Sequence, residues 1–178
     1  IDLAKELIFL HKLGEQHLAP VYYNLGWFEK SFQQARPHYQ KLLELPFSPL
    51  YEDYFYGATE SLLKGFLEKQ EWQNAAQTIK AWQRPSFQAL SQAHIAHAQN
   101  QVQAVHYAKR AFQQAQVDHH KIDALDAALL LLQYHALGLE AKNIAEFDGY
   151  IMQNATRRWR DQNKAALAAL NKGDETPQ

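Results

Sequence analysis

The stretch Glu68-Lys69-Gln70-Glu71-Trp72-Gln73-Asn74-Ala75-Ala76-Gln77-Thr78-Ile79-Lys80-Ala81-Trp82 decides the fold. Ala75, Ile79 and Trp82 stand at i, i+4 and i+7, the spacing of one helix face. A small residue at Ala75 lets two helix axes approach, and bulky neighbours fill the next groove. The same spacing recurs in Leu3, Leu7, Leu10 and Leu13, in Ala104, Ala108, Ala111 and Ala115, and in Leu125, Leu129, Leu132 and Ala136. Composition agrees: 26 Ala and 20 Gln stand against 4 Val, 7 Ile and 4 Thr. Pleated sheets favour β-branched residues, so their scarcity points to an all-α chain.

Proline and glycine place the breaks. Leu45-Pro46-Phe47-Ser48-Pro49 and Arg84-Pro85-Ser86 are the clearest stops, because proline cannot continue a helix and forces its predecessor into extended geometry. Residues 86–176 contain no proline, and no glycine lies between Gly65 and Gly138. The second half therefore reads as long helices, the first as shorter pieces, with a turn at Leu137-Gly138. About nine or ten helices joined by short turns must run as antiparallel hairpins. No stretch has linker composition, so residues 1–172 read as one helical domain and 173–178 as a flexible tail.

The order Trp72, Ala75, Ile79, Trp82 resembles the second helix of a tetratricopeptide repeat. Looser likenesses lie at Ala19-Tyr23-Gly26, at Ala35-Tyr39-Leu42 ending in Pro46, and at Ala104-Ala108-Ala111. Their alanines fall at 19, 35, 75 and 104, so the spacing is uneven. The resemblance covers residues 5–140 and implies hairpins stacked as a right-handed solenoid. It also implies a non-enzymatic scaffold or adaptor that holds a protein or peptide in a concave groove.

Bulk properties mostly exclude. The formal net charge is −1 and the charges are evenly shared between the halves, without the basic excess of a nucleic-acid binder. No apolar run approaches the 18 or so residues of a membrane span. Zero cysteine removes disulfides, thiol nucleophiles and Cys-ligated zinc. The start at Ile1 is read as a processed protein or a soluble part of a larger, membrane-anchored bacterial protein.

Candidate chemistry is sparse. His94, His97, His106, His119 and His120 cluster in sequence, and His94 and His97 at i, i+3 form a two-imidazole pair. A metal site needs three or four converging ligands, so His94 and His97 read as a polar helix surface and no cofactor is expected. His119, Asp123 and Asp126 are expected on one face. The few serines lack a nucleophile elbow, which leaves no catalytic assignment. Arg157, Arg160 and Lys164 line up on a helix and either grip an acidic partner or complement a helix terminus, with Trp159 packed as a cap. Asn154-Ala155-Thr156 matches a glycosylation sequon inside an expected helix.

Aromatics crowd Phe47, Tyr51, Tyr54, Phe55 and Tyr56, and again Tyr22, Tyr23, Trp27 and Phe28. Most read as core; the Tyr51 and Tyr56 hydroxyls want water or a partner. Tyr51, Tyr56, Asn24 and Gln92, with Arg157 and Arg160, are the candidate partner-binding residues. The alternative function is an accessory domain of a cell-envelope enzyme or transport machine, holding a carbohydrate or lipid-linked substrate on the aromatic cluster.

Overall fold

The computed structural model describes residues 14–138 and 144–171. The expected helix at Leu3–Leu13 and the tail at 173–178 lie outside them. Among the described residues, ten α-helices and two short 3-10 turns, Glu15–Leu18 and Pro49–Tyr51, make up the regular structure and no strand occurs. The chain divides into two compact units, residues 1–82 and 83–178.

Unit 1 holds α1 (Ala19–Phe28), α2 (Phe32–Glu44), α3 (Glu52–Glu68) and the short α4 (Trp72–Gln77). The Ser31 side chain accepts from the Gln34 backbone N–H and caps α2, which runs through Pro37. Helix α3 continues for 17 residues through Gly57 and Gly65, so the first half is not built only of short pieces. These glycines seat rings. A Cβ on Gly26 would stand 2.6 Å from Tyr39, on Gly57 2.8 Å from Tyr23, and on Gly65 2.1 Å from Phe32. Glycine inside a helix costs about 0.5–1 kcal/mol relative to alanine, and here three rings from neighbouring helices occupy the space so gained.

The run that predicted a helix to Trp82 forms one only to Gln77. The Thr78 hydroxyl donates to the Ala75 carbonyl at 2.7 Å, a local bond that competes with helix continuation. Trp82 leaves that face and stacks on Phe47, with ring centroids 4.5 Å apart and planes 9° from parallel. Phe55 and Tyr56 meet the same indole edge-on. Ala75 is fully buried, as its place in the pattern required.

Unit 2 holds α5 (Pro85–Ala98), α6 (Gln103–Val117), α7 (Lys121–Ala136), α8 (Ile144–Asn154), α9 (Arg157–Gln162) and α10 (Lys164–Asn171). Its core is one cluster in which Ala104, Ala108, Ala111 and Ala115 pack with Leu125, Leu129, Phe112, Phe147 and Trp159. The alanine periodicity thus marks close helix–helix packing.

Helix ends lacking glycine or proline use another device. Gln70, Asn100 and His119 adopt left-handed backbone with φ of 58°, 55° and 56°. In each case the next residue's N–H bonds a carbonyl five residues back: Glu71 to Phe66, Gln101 to Ala96, His120 to Ala115. These are Schellman caps, which satisfy orphan carbonyls and permit connections of three or four residues. Gly138, at φ 79°, takes the corresponding place after α7.

Candidate functional site

Helix α1 is apolar on all sides, yet it buries only its two smallest residues, Ala19 and Gly26. Helices apolar all round are normally enclosed. Instead Trp27 is 67% and Phe28 81% exposed. Asn24, at i−3 and i−4 from them, is exposed on the same face.

A chain of rings leads away from Trp27. Its indole lies 6.3 Å from Tyr23 at an interplanar angle of 21°. Tyr23 meets Tyr54 at 5.5 Å and 69°, and Tyr54 meets Tyr51 at 6.3 Å and 54°. The Tyr51 ring contacts His17 at 5.7 Å, and its hydroxyl bonds the His17 Nδ1 at 2.6 Å. Tyr23, Tyr51 and Tyr54 are half-buried, so each shows part of a ring to solvent. Among the described residues, neither the Tyr54 hydroxyl nor the Trp27 indole N–H has a hydrogen-bond partner. Burial raises the Tyr23 phenol above its ordinary value, with Tyr39, Glu60 and Tyr54 adding to the effect.

Beside Trp27 a groove of about 280 Å³ runs between α1, α2 and α3. Phe32, Ala35 and Gly65 form its apolar part, and Glu29, Lys30, Lys64 and Glu68 its charged rim. A second recess of about 180 Å³ lies between α2, α3 and α4, with amides of Gln40, Asn74 and Gln77 over Leu62 and Phe66. Both are smaller than the roughly 300 Å³ at which small-molecule sites begin.

Tyr51 sits on the track with its hydroxyl engaged by His17, and Asn24 stands beside the track on α1. Tyr56 is buried at 7% exposure against Trp82 and offers no free face. Gln92 is half-buried on α5 in unit 2.

Arg160 is turned inward: its guanidinium donates to the carbonyls of Ile151, Met152 and Ala155 at the C-terminal end of α8. It neutralises the negative end of that helix. Arg157, 96% exposed, holds Asp161 loosely at 3.9 Å. Lys164 opens a separate helix, so the basic residues do not form one continuous stripe. The sequon falls at the break between α8 and α9, where Thr156 caps α9 and the Asn154 amide donates to the Tyr150 carbonyl.

The histidines and carboxylates of unit 2 form a framework. His94 is pushed down to about 4 by burial, with His97 adding to the shift, so it is neutral at pH 7. The His97 ring lies 4.7 Å from Tyr134. No third His, Asp or Glu joins the pair among the described residues.

His119 lies in the turn before α7, and it is His120 whose Nδ1 faces the Asp123 carboxylate at 3.4 Å. The Ser86 hydroxyl donates to that carboxylate at 2.6 Å, and Arg84 adds a longer contact at 3.4 Å. Ser86 is fully buried and bonds the carboxylate, not the imidazole, so the group ties α5 to α7 and activates no nucleophile. Asp126, one turn on, accepts from the Trp159 indole N–H at 2.7 Å.

No protein-family model, curated protein or solved structure matches the chain. No described helix is long and apolar enough to cross a membrane.

Proposed function

We propose that the chain is a non-enzymatic binding module that holds a protein or peptide segment on the aromatic face of unit 1. The observation that carries this reading is the exposure of Trp27 and Phe28 on a helix whose apolar residues run all round. Two adjacent large aromatics left in water lose about 1.5–3 kcal/mol each of available burial, and exposed apolar patches mark interaction sites. Tryptophan and tyrosine are also the side chains that dominate binding energy at interfaces. The polar clusters of unit 2 are occupied in holding helices together, which leaves them out of the site.

The same reading takes the hairpins as tetratricopeptide-like repeats of a right-handed solenoid. It is supported by packing inside each unit: α2 packs on α1 and α3 while α1 also meets α3, and α6 packs on α5 and α7 while α5 also meets α7. A second reading, an accessory domain for a carbohydrate or lipid-linked substrate, draws on the near-parallel Tyr23–Trp27 pair, a shape that accepts a flat sugar face.

Selection from a displayed random peptide library tests the first reading. Clones that bind the wild type and lose binding to Trp27→Ala and Phe28→Ser support it. A selection whose binders are indifferent to both substitutions refutes it.

A further inference from the structure

We infer that the track from Tyr51 through Tyr54 and Tyr23 to Trp27 takes a cationic, proline-rich segment in the polyproline II conformation, an inference that rests on the peptide-binding reading above. Three features of unit 1 carry it. The first is ring geometry. Planes tilted by 54° and 69° at Tyr51–Tyr54 and Tyr54–Tyr23 make successive rings meet at steep angles, so the track is a corrugated apolar surface, not a flat platform. A pyrrolidine ring is a compact apolar group that packs on such tilted rings. Polyproline II repeats every three residues, about 9 Å, so its prolines recur along one edge of the ligand. A flat sugar would need parallel rings, and only Tyr23–Trp27, at 21°, comes near.

The second feature is donors without acceptors. The Tyr54 hydroxyl and the Trp27 indole N–H stand at the ring edges with no partner among the described residues. Polyproline II has no internal hydrogen bonds, so its carbonyls are free to accept from both. A helical ligand has used most of its carbonyls already. Aromatic grooves exploit this preformed conformation because little chain entropy is lost on binding.

The third feature is charge. The two stretches that carry the track, 15–28 and 49–60, contain Glu15, Glu52, Asp53 and Glu60 and no lysine or arginine. The groove next to Trp27 is balanced, with Lys30 and Lys64 beside Glu29 and Glu68, which sets the cationic residues of the ligand toward the Tyr51 end. Basic residues beside the prolines complement this field and speed encounter at low salt.

The test is calorimetric titration of the full chain with a twelve-residue peptide of four Arg-Pro-Pro repeats, and with an Arg-Ala-Ala peptide of equal length and charge. The inference expects the proline peptide to bind about ten-fold or more tightly than the alanine peptide, and to weaken about ten-fold for Trp27→Ala, a hot-spot-sized loss. Tyr54→Phe, which removes one hydroxyl and keeps the ring, is expected to cost about three-fold or more, and raising the salt to weaken binding further.

Equal binding of the two peptides, or proline binding indifferent to both substitutions, overturns it. If the proline peptide fails while library clones still require Trp27, the polyproline inference falls and the peptide-binding reading stands. If neither peptides nor clones require Trp27, both fall, and binding of a cello- or chito-oligosaccharide to the same residues would move the site to the second reading.

Discussion

Replacing Asp126 by asparagine should stabilise unit 2 at neutral pH, although it removes a charged residue that makes a 2.7 Å hydrogen bond. Burial is the main reason the Asp126 carboxyl is raised from 3.8 to about 6; the negative charge of Asp123 pushes the same way, while the Trp159 N–H pulls it back. The folded state therefore holds the proton more tightly than the unfolded chain does. The stabilisation is fully present below about pH 4 and is lost as pH rises through about 6. A shift of about two units corresponds to roughly 3 kcal/mol across that window.

Asparagine keeps an acceptor oxygen for Trp159 and stays neutral, so it escapes this loss. It gives up the extra strength of a hydrogen bond to a charged acceptor, about 1 kcal/mol more than a neutral one. The net expectation is a gain of about 1–2 kcal/mol at pH 7.5 that shrinks to nothing or reverses near pH 4.5. Urea unfolding followed at several pH values, wild type against Asp126→Asn, reads the difference directly. Trp159 reports on the site itself once the other three tryptophans are replaced by phenylalanine. A difference that does not change with pH, or an asparagine variant less stable at pH 7.5, would show that Trp159 outweighs burial and refute the reasoning.

Gly65→Ala should destabilise unit 1 by about 1–3 kcal/mol, because Phe32 occupies the space of the new methyl. Gly149→Ala, also mid-helix but with nothing within 4 Å, should stabilise by about 0.5–1 kcal/mol, and thermal melts of the two variants read both effects. Ser86→Ala removes a fully buried donor to Asp123 and should cost about 1–3 kcal/mol in urea unfolding. Arg160→Gln should cost about 1 kcal/mol by uncapping α8, while Arg157→Gln stays within about 0.5 kcal/mol of wild type. His119→Gly should stabilise by up to about 1 kcal/mol, as glycine adopts the left-handed cap without strain.

Helical character was legible because periodicity and composition act on every residue at once. The alanine faces of α6 and the leucines of α7 bury as their spacing required. What escaped were features set by single contacts. The end of α4 at Gln77 is marked by a local Thr78 hydroxyl bond, and the caps at Gln70 and His119 place residues of ordinary preference in left-handed backbone. Neither leaves a glycine or proline to be read.

Glycines 26, 57 and 65 invert the usual punctuation, because each lies inside a helix as the seat of a ring supplied by a distant segment. Arg160 likewise reads as a surface cation until the end of α8 is brought to it by the chain's return through Thr156.

The candidate site exposes a further limit, and its cause is counting. Tyr22, Tyr23, Trp27 and Phe28 look like core because large aromatics usually are. Yet α1 is ten residues long, and among the described residues of its unit it packs chiefly on α2, α3 and the first 3-10 turn. One of its faces is taken by glycine- and alanine-sized contacts, at Gly26 under Tyr39 and, seven residues earlier, at the fully buried Ala19. Close contact on the small-residue side forces the bulky side outward, since residues at i, i+3 and i+4 share a face and cannot turn to both. Trp27 and Phe28 are therefore exposed as a consequence of how tightly α1 is held, not of loose packing. An aromatic helix anchored through its smallest residues has its interaction energy left to spend on something else. That makes the pairing of helix-interior glycine with neighbouring aromatics, visible in Gly26-Trp27-Phe28, the sequence signal by which this surface is found.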